Sequence, residues 1–150
     1  GGCGWGLGAV WGGRRYAGGG GGAMTDHGIR GSCLCGDFGL GTAAEPQGAS
    51  MCHCGQCRKQ SGGIWSSAYV KDSALTISGP VRWFEASPQA KRGFCGRCGS
   101  SLFWKAHDED TTSFALGAVP APTGRRIAKH IFVRDKGDFS ELADGGLQND

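Results

Sequence analysis

The chain has 150 residues, of which 19% are charged, with a formal net charge of +3; this length accommodates one domain with a modest core and argues against a second. Arg14 and Arg15 lie in a terminal glycine-rich stretch, and thiolates bound to a metal would add negative charge, so the composition excludes a nucleic-acid surface. No apolar run approaches membrane-span length and no secretory signal opens the chain, so the expectation is a soluble cytoplasmic protein with reduced thiols, no membrane partner and no nucleic-acid partner.

Residues 1–23, with an unbroken glycine run at Gly18–Gly22, read as a disordered tail or linker. Met24 resembles a natural start, which places one zinc-binding domain at residues 24–150. From Gly28 onward the apolar runs are short, aromatic and β-branched, and turn residues separate them. Strand-like segments occur at Ile64–Val70, Leu75–Ser78, Val81–Phe84, Ser101–Trp104, Ser113–Leu116 and His130–Val133. Arg58–Ser61 offers one short helical turn that Gly62 and Gly63 would end. The expected fold is mainly β, built of antiparallel sheets with complex topology.

Seven cysteines fall in three closely spaced sets: Cys33 with Cys35, Cys52 with Cys54 and Cys57, and Cys95 with Cys98. Disulfides between residues two apart would close strained rings, whereas a metal gathers sulfurs without requiring them to touch. Zn(II) is the ion this donor set favours. A tetrahedral structural site takes four thiolates, and the simplest pairing is Cys33, Cys35, Cys95 and Cys98. Gly96 and Gly99 would let the second knuckle turn through positive φ.

Cys52, Cys54 and Cys57 then form a second site, which implies two Zn(II) per chain. In an extended segment His53 projects away from Cys52 and Cys54 and makes a poor fourth ligand. Water or an incoming thiol would take the open position, and zinc would lower that thiol's pKa. The alternative is a second structural site completed by a histidine, a carboxylate or a shared cysteine, in a non-catalytic zinc module that binds a protein partner. Arg58 and Lys59 are candidates to attract substrate carboxylates. Trp65, Trp83 and Trp104 alternate along strands and are expected in the core. His107–Asp110 reads as a solvated turn and His130 as a packed or hydrogen-bonded residue. Cys3, alone in the tail, belongs to neither site.

Gly31–Gly36, Cys52–Lys59, Phe94–Ser100 and His130–Val133 occur in an order that resembles the glutathione-dependent formaldehyde-activating enzyme family, which includes centromere protein V. The resemblance runs from about Gly28 to the end. It implies a mainly β zinc fold and a carbon–sulfur lyase activity that interconverts S-(hydroxymethyl)glutathione with glutathione and formaldehyde. It also implies Cys33, Cys35, Cys95 and Cys98 as structural ligands and Cys52, Cys54 and Cys57 as catalytic ones, with a glutathione-like thiol and a small electrophile as substrates. Phe139 stands where many members carry tryptophan, at an expected pocket wall.

Overall fold

A computed structural model describes residues 28–142 and 146–150, so the expected tail at residues 1–23 lies outside the described residues. The strands, in chain order, are β1 (Ile29–Ser32), β2 (Gly39–Thr42), β3 (Gln47–Cys52), β4 (Trp65–Lys71), β5 (Leu75–Ser78), β6 (Val81–Ser87), β7 (Ala90–Cys95), β8 (Ser101–Ala106), β9 (Thr111–Ala115), β10 (Lys129–Ile131) and β11 (Leu147–Asn149). One α-helix, α1 (Gly55–Ser61), follows β3 directly. Two sheets result, β1-β2-β5 and β11-β10-β3-β4-β9-β8-β7-β6. The pairing is antiparallel except at one corner, where β10 runs parallel to both β3 and β11.

The alternation of side chains across a strand explains how the core forms. In β8 a register shift against β7 beside Leu102 interrupts that alternation, and Leu102 and Phe103 are both fully buried in one core cluster. Phe38, from the turn between β1 and β2, meets the Phe103 ring edge-on at 5.4 Å. Trp83 stacks on Phe103 at 5.8 Å. Phe103→Ala should therefore cost about 3–5 kcal/mol, the range for emptying a buried aromatic site. The denaturant midpoint reads this loss; an unchanged midpoint would show that Phe103 is not the centre of the core.

The three tryptophans divide. Trp65 is buried and Trp104 half-buried, whereas Trp83 keeps 39% of its surface exposed. The expectation of a core position fails for Trp83 because β6 is the edge of its sheet. Its ring covers Phe103 on one side and carries the Lys91 ammonium 4.9 Å from its centroid.

Asp72 ties three strands together after β4. Its carboxylate accepts from Thr112 Oγ1 at 2.6 Å and from Lys105 Nζ at 2.7 Å. Burial opposes ionisation, but these bonds outweigh it and hold the carboxyl below its ordinary value. A lowered folded value means that the contribution is complete above the ordinary carboxylate range and disappears as pH falls through the lowered one. Asp72→Asn should flatten the acid side of the stability profile. With the Asp72 side chain 44% exposed, solvent screening limits the loss at neutral pH to about 1 kcal/mol. An acid limb identical to wild type would rule this out.

Candidate metal centres

Cys33 and Cys35 lie in the turn between β1 and β2, while Cys95 ends β7 and Cys98 lies in the turn between β7 and β8. Each turn closes through its own backbone. Gly36 N–H donates to Cys33 O at 3.1 Å and Gly99 N–H to Cys95 O at 2.9 Å. Gly99 has φ 76°, which explains its glycine, while Gly96 is not in the positive-φ region, contrary to the sequence expectation. Gly96 is instead a matter of space, because a Cβ there would stand 3.0 Å from the Arg82 side chain. Leu34 N–H donates to Ser100 Oγ at 3.1 Å and joins the two turns.

The four sulfurs of this quartet all lie within 4.8 Å of one another. Cys33 and Cys35 sulfurs are 3.4 Å apart, and those of Cys35 and Cys95 are 3.8 Å apart. All are free thiols. Four sulfurs held about 2.3 Å from one tetrahedral ion would be about 3.8 Å apart, so the quartet fits such an ion. Burial opposes ionisation of the Cys98 thiol, but hydrogen bonds with Ser100 outweigh it and lower the thiol to about 5, while the neighbouring Cys35 is pushed up to about 12.

The second cluster forms where a strand becomes a helix. Cys52 ends β3, Cys54 is the N-cap of α1, and Cys57 sits in the first turn of that helix. Cys54 Sγ accepts from the Cys57 N–H at 3.4 Å, which folds the chain back and brings the three sulfurs within 4.8 Å of one another. Gly62, with φ 79°, ends the helix where the sequence places its stop. No further histidine, cysteine or carboxylate atom of the described residues joins the trio. His53 is turned away, and its Nε2 lies 2.8 Å from His130 Nδ1 in a fully buried pair.

Arg92, a residue the sequence reading passed over, reaches this cluster from β7. Its two terminal nitrogens each donate to Cys57 Sγ at 3.5 Å, and also to Gln60 Oε1 at 3.1 Å and Gln56 Oε1 at 3.3 Å. The Cys57 thiol is lowered to about 6, first through its hydrogen bond with Cys52 and, against the opposing effect of burial, through the Arg92 charge. Cys52 is pushed up, as expected when one of two adjacent thiols ionises first.

Two cavities flank α1. The larger, about 910 Å³, lies between Gln60, Ser61 and Trp65 on one side and Leu34, Cys98 and Ser100 on the other. The smaller, about 480 Å³, is walled by Gln56, Lys59, Gln60, Arg92, Phe84 and Phe94. The trio's sulfurs do not line either cavity, but Trp65 and Arg92, which touch the cluster, line one each. Lys59 lines the smaller cavity, whereas Arg58 lines neither. Phe139 is 70% exposed and lines neither of these two cavities. His107–Asp110 is a solvated turn, and His107 Nε2 lies 2.9 Å from Glu85 Oε2.

Both clusters can hold a metal ion. No helix of the described residues is long and apolar enough to cross a membrane. Among solved structures, the chain is similar to the crystal structure of a Rhodobacter sphaeroides protein, at 19% identity and a TM-score of 0.52. That match covers 81% of this chain and 100% of the other, and it shows a common fold. No curated protein matches. The family model described as glutathione-dependent formaldehyde-activating enzyme matches residues 28–135, a span that includes all seven clustered cysteines and Arg92. The chain therefore belongs to the glutathione-dependent formaldehyde-activating enzyme family.

Proposed function

We propose that the chain is a zinc-dependent carbon–sulfur lyase that forms or cleaves a thiol adduct of the S-(hydroxymethyl)glutathione type. The observation that carries this reading is the contrast between a complete quartet at Cys33, Cys35, Cys95 and Cys98 and a trio at Cys52, Cys54 and Cys57 that no other donor of the described residues completes. The quartet is structural and the trio catalytic on this reading, with one Zn(II) in each. At the trio, bound zinc supplies Lewis acidity that lowers the pKa of an incoming thiol.

The chain's own residues account for access and charge. Lys59 is exposed at the smaller cavity and draws the carboxylates of a glutathione-like thiol toward α1. Trp65 joins the trio's apolar surround to the larger cavity and limits water there. In the forward direction the thiol sulfur bonds to the carbonyl carbon of formaldehyde, and its oxygen takes up a proton. In reverse the carbon–sulfur bond breaks and that proton leaves. The domain is taken as residues 24–150, and the protein as cytoplasmic, where thiols stay reduced.

Exchange NMR on formaldehyde, glutathione and their adduct tests this assignment. The metal-loaded protein should broaden or transfer magnetisation between the adduct and its components at concentrations where buffer alone does not. Exchange at the buffer rate would remove the formaldehyde assignment. A second reading, a non-catalytic zinc module for a protein partner, draws on the exposure of Trp83 and Phe84 along edge strand β6.

A further inference from the structure

Arg92 is 5% exposed, and no carboxylate of the described residues pairs with it. A buried guanidinium without a carboxylate is costly unless another negative group faces it. The group that faces it here is the Cys57 sulfur, which receives one donor from each terminal nitrogen. The remaining terminal donors are committed to Gln56 and Gln60, and Nε is buried without an acceptor. With these donors spent on the protein, the guanidinium has little left to offer a substrate carboxylate. Its position is fixed from below by β7, where Arg92 is paired with Phe84 on one side and Trp104 on the other.

Charge balance points the same way. Three thiolates around a doubly positive ion leave one negative charge in a partly buried site, and one buried guanidinium cancels it. Near the quartet, by contrast, the arginine is Arg97, which is exposed and paired with Asp37 at 2.7 Å. Hydrogen bonds from a cation to a metal-bound sulfur draw electron density from that sulfur and weaken its donation to the ion.

We propose that Arg92 is the positioning residue of the trio: its forked guanidinium orients the Cys57 sulfur, neutralises the site's excess charge and keeps the bound ion electron-poor enough to accept an outside thiol. This rests on the reading of Cys52, Cys54 and Cys57 as metal ligands, and it is testable without substrate. In the cobalt-loaded full chain, subtracting the spectrum of Cys54→Ser isolates the trio's sulfur-to-cobalt charge-transfer bands. Removing donors from Cys57 raises the energy of its sulfur electrons, so Arg92→Met should shift those bands to longer wavelength while the quartet's bands stay in place. Arg92→Lys keeps the charge but loses the fork and should give a smaller shift in the same direction. This variant also carries the test should Arg92→Met not fold.

Unshifted bands in the folded variants would overturn the proposal, as would a wild-type trio that takes up no cobalt. A shifted band in a protein that does not accelerate formaldehyde exchange would support Arg92's role and reject the formaldehyde chemistry.

Discussion

Cys95→Ser is expected to leave the chain without a cooperative fold at room temperature. Cys95 is 1% exposed and packs in one cluster with Cys33, Phe38 and Phe103, so the quartet is part of the main core. Its sulfurs join the turn after β1 to the turn after β7, two segments that share no strand pairing. A structural zinc site contributes about 10–16 kcal/mol of apparent binding energy, while a domain of this size is stable by only about 5–15 kcal/mol. Serine would also bury a hydroxyl in place of a ligand. Far-UV circular dichroism during heating reads the outcome, and chelation of the wild-type protein should reproduce it. A variant melting cooperatively near the wild-type temperature would show that the quartet does not hold the fold.

Cys54→Ser is expected to do the opposite, abolishing activity while preserving the fold. Cys54 is half-buried at the N-cap of α1, where its sulfur accepts the Cys57 N–H. Serine is a favourable residue at that position and its hydroxyl can take over the bond, so the helix should hold to within about 1 kcal/mol. The trio would nonetheless be reduced to two sulfurs. One metal equivalent should be lost, and formaldehyde–glutathione exchange should fall by more than about 100-fold. Metal content, melting temperature and exchange NMR on the same sample separate these effects. Retained exchange with one metal missing would move the chemistry away from the trio.

The contrast between these variants explains what the sequence made legible. Closely spaced cysteines announce themselves because few other folds need thiols two or three residues apart, and their division into four and three follows from ligand number. The strands rich in Phe, Trp, Val and Ile were readable for a similar reason, since β-branched and aromatic residues fit a pleated surface. β2, β3, β7 and β11 were not among the expected strands; Gly-Leu-Gly-Thr in β2 and Gln-Gly-Ala-Ser-Met-Cys in β3 carry little such signal. They form strands because their neighbours supply the hydrogen bonds.

Arg92 was passed over for a different reason. A single arginine between Lys91 and Gly93 reads as a solvent-facing residue, and its partner on α1 lies 35 positions earlier in the chain. Its strand phase was the available signal: Arg92 alternates with Ala90 and Phe94, so it lies on the same face of β7 as Phe94. Trp83 shows the converse, since periodicity gives a face but not whether that face is covered. The parallel corner at β10 likewise depends on a pairing about 80 residues distant, which no local pattern encodes.

Counting zinc per chain in metal-replete protein, together with alkylation mapping of the thiols, tests the division into quartet and trio most directly. Two equivalents are expected, with Cys33, Cys35, Cys52, Cys54, Cys57, Cys95 and Cys98 protected and Cys3 modified. One equivalent, with Cys52, Cys54 and Cys57 alkylated as fast as Cys3, would contradict it.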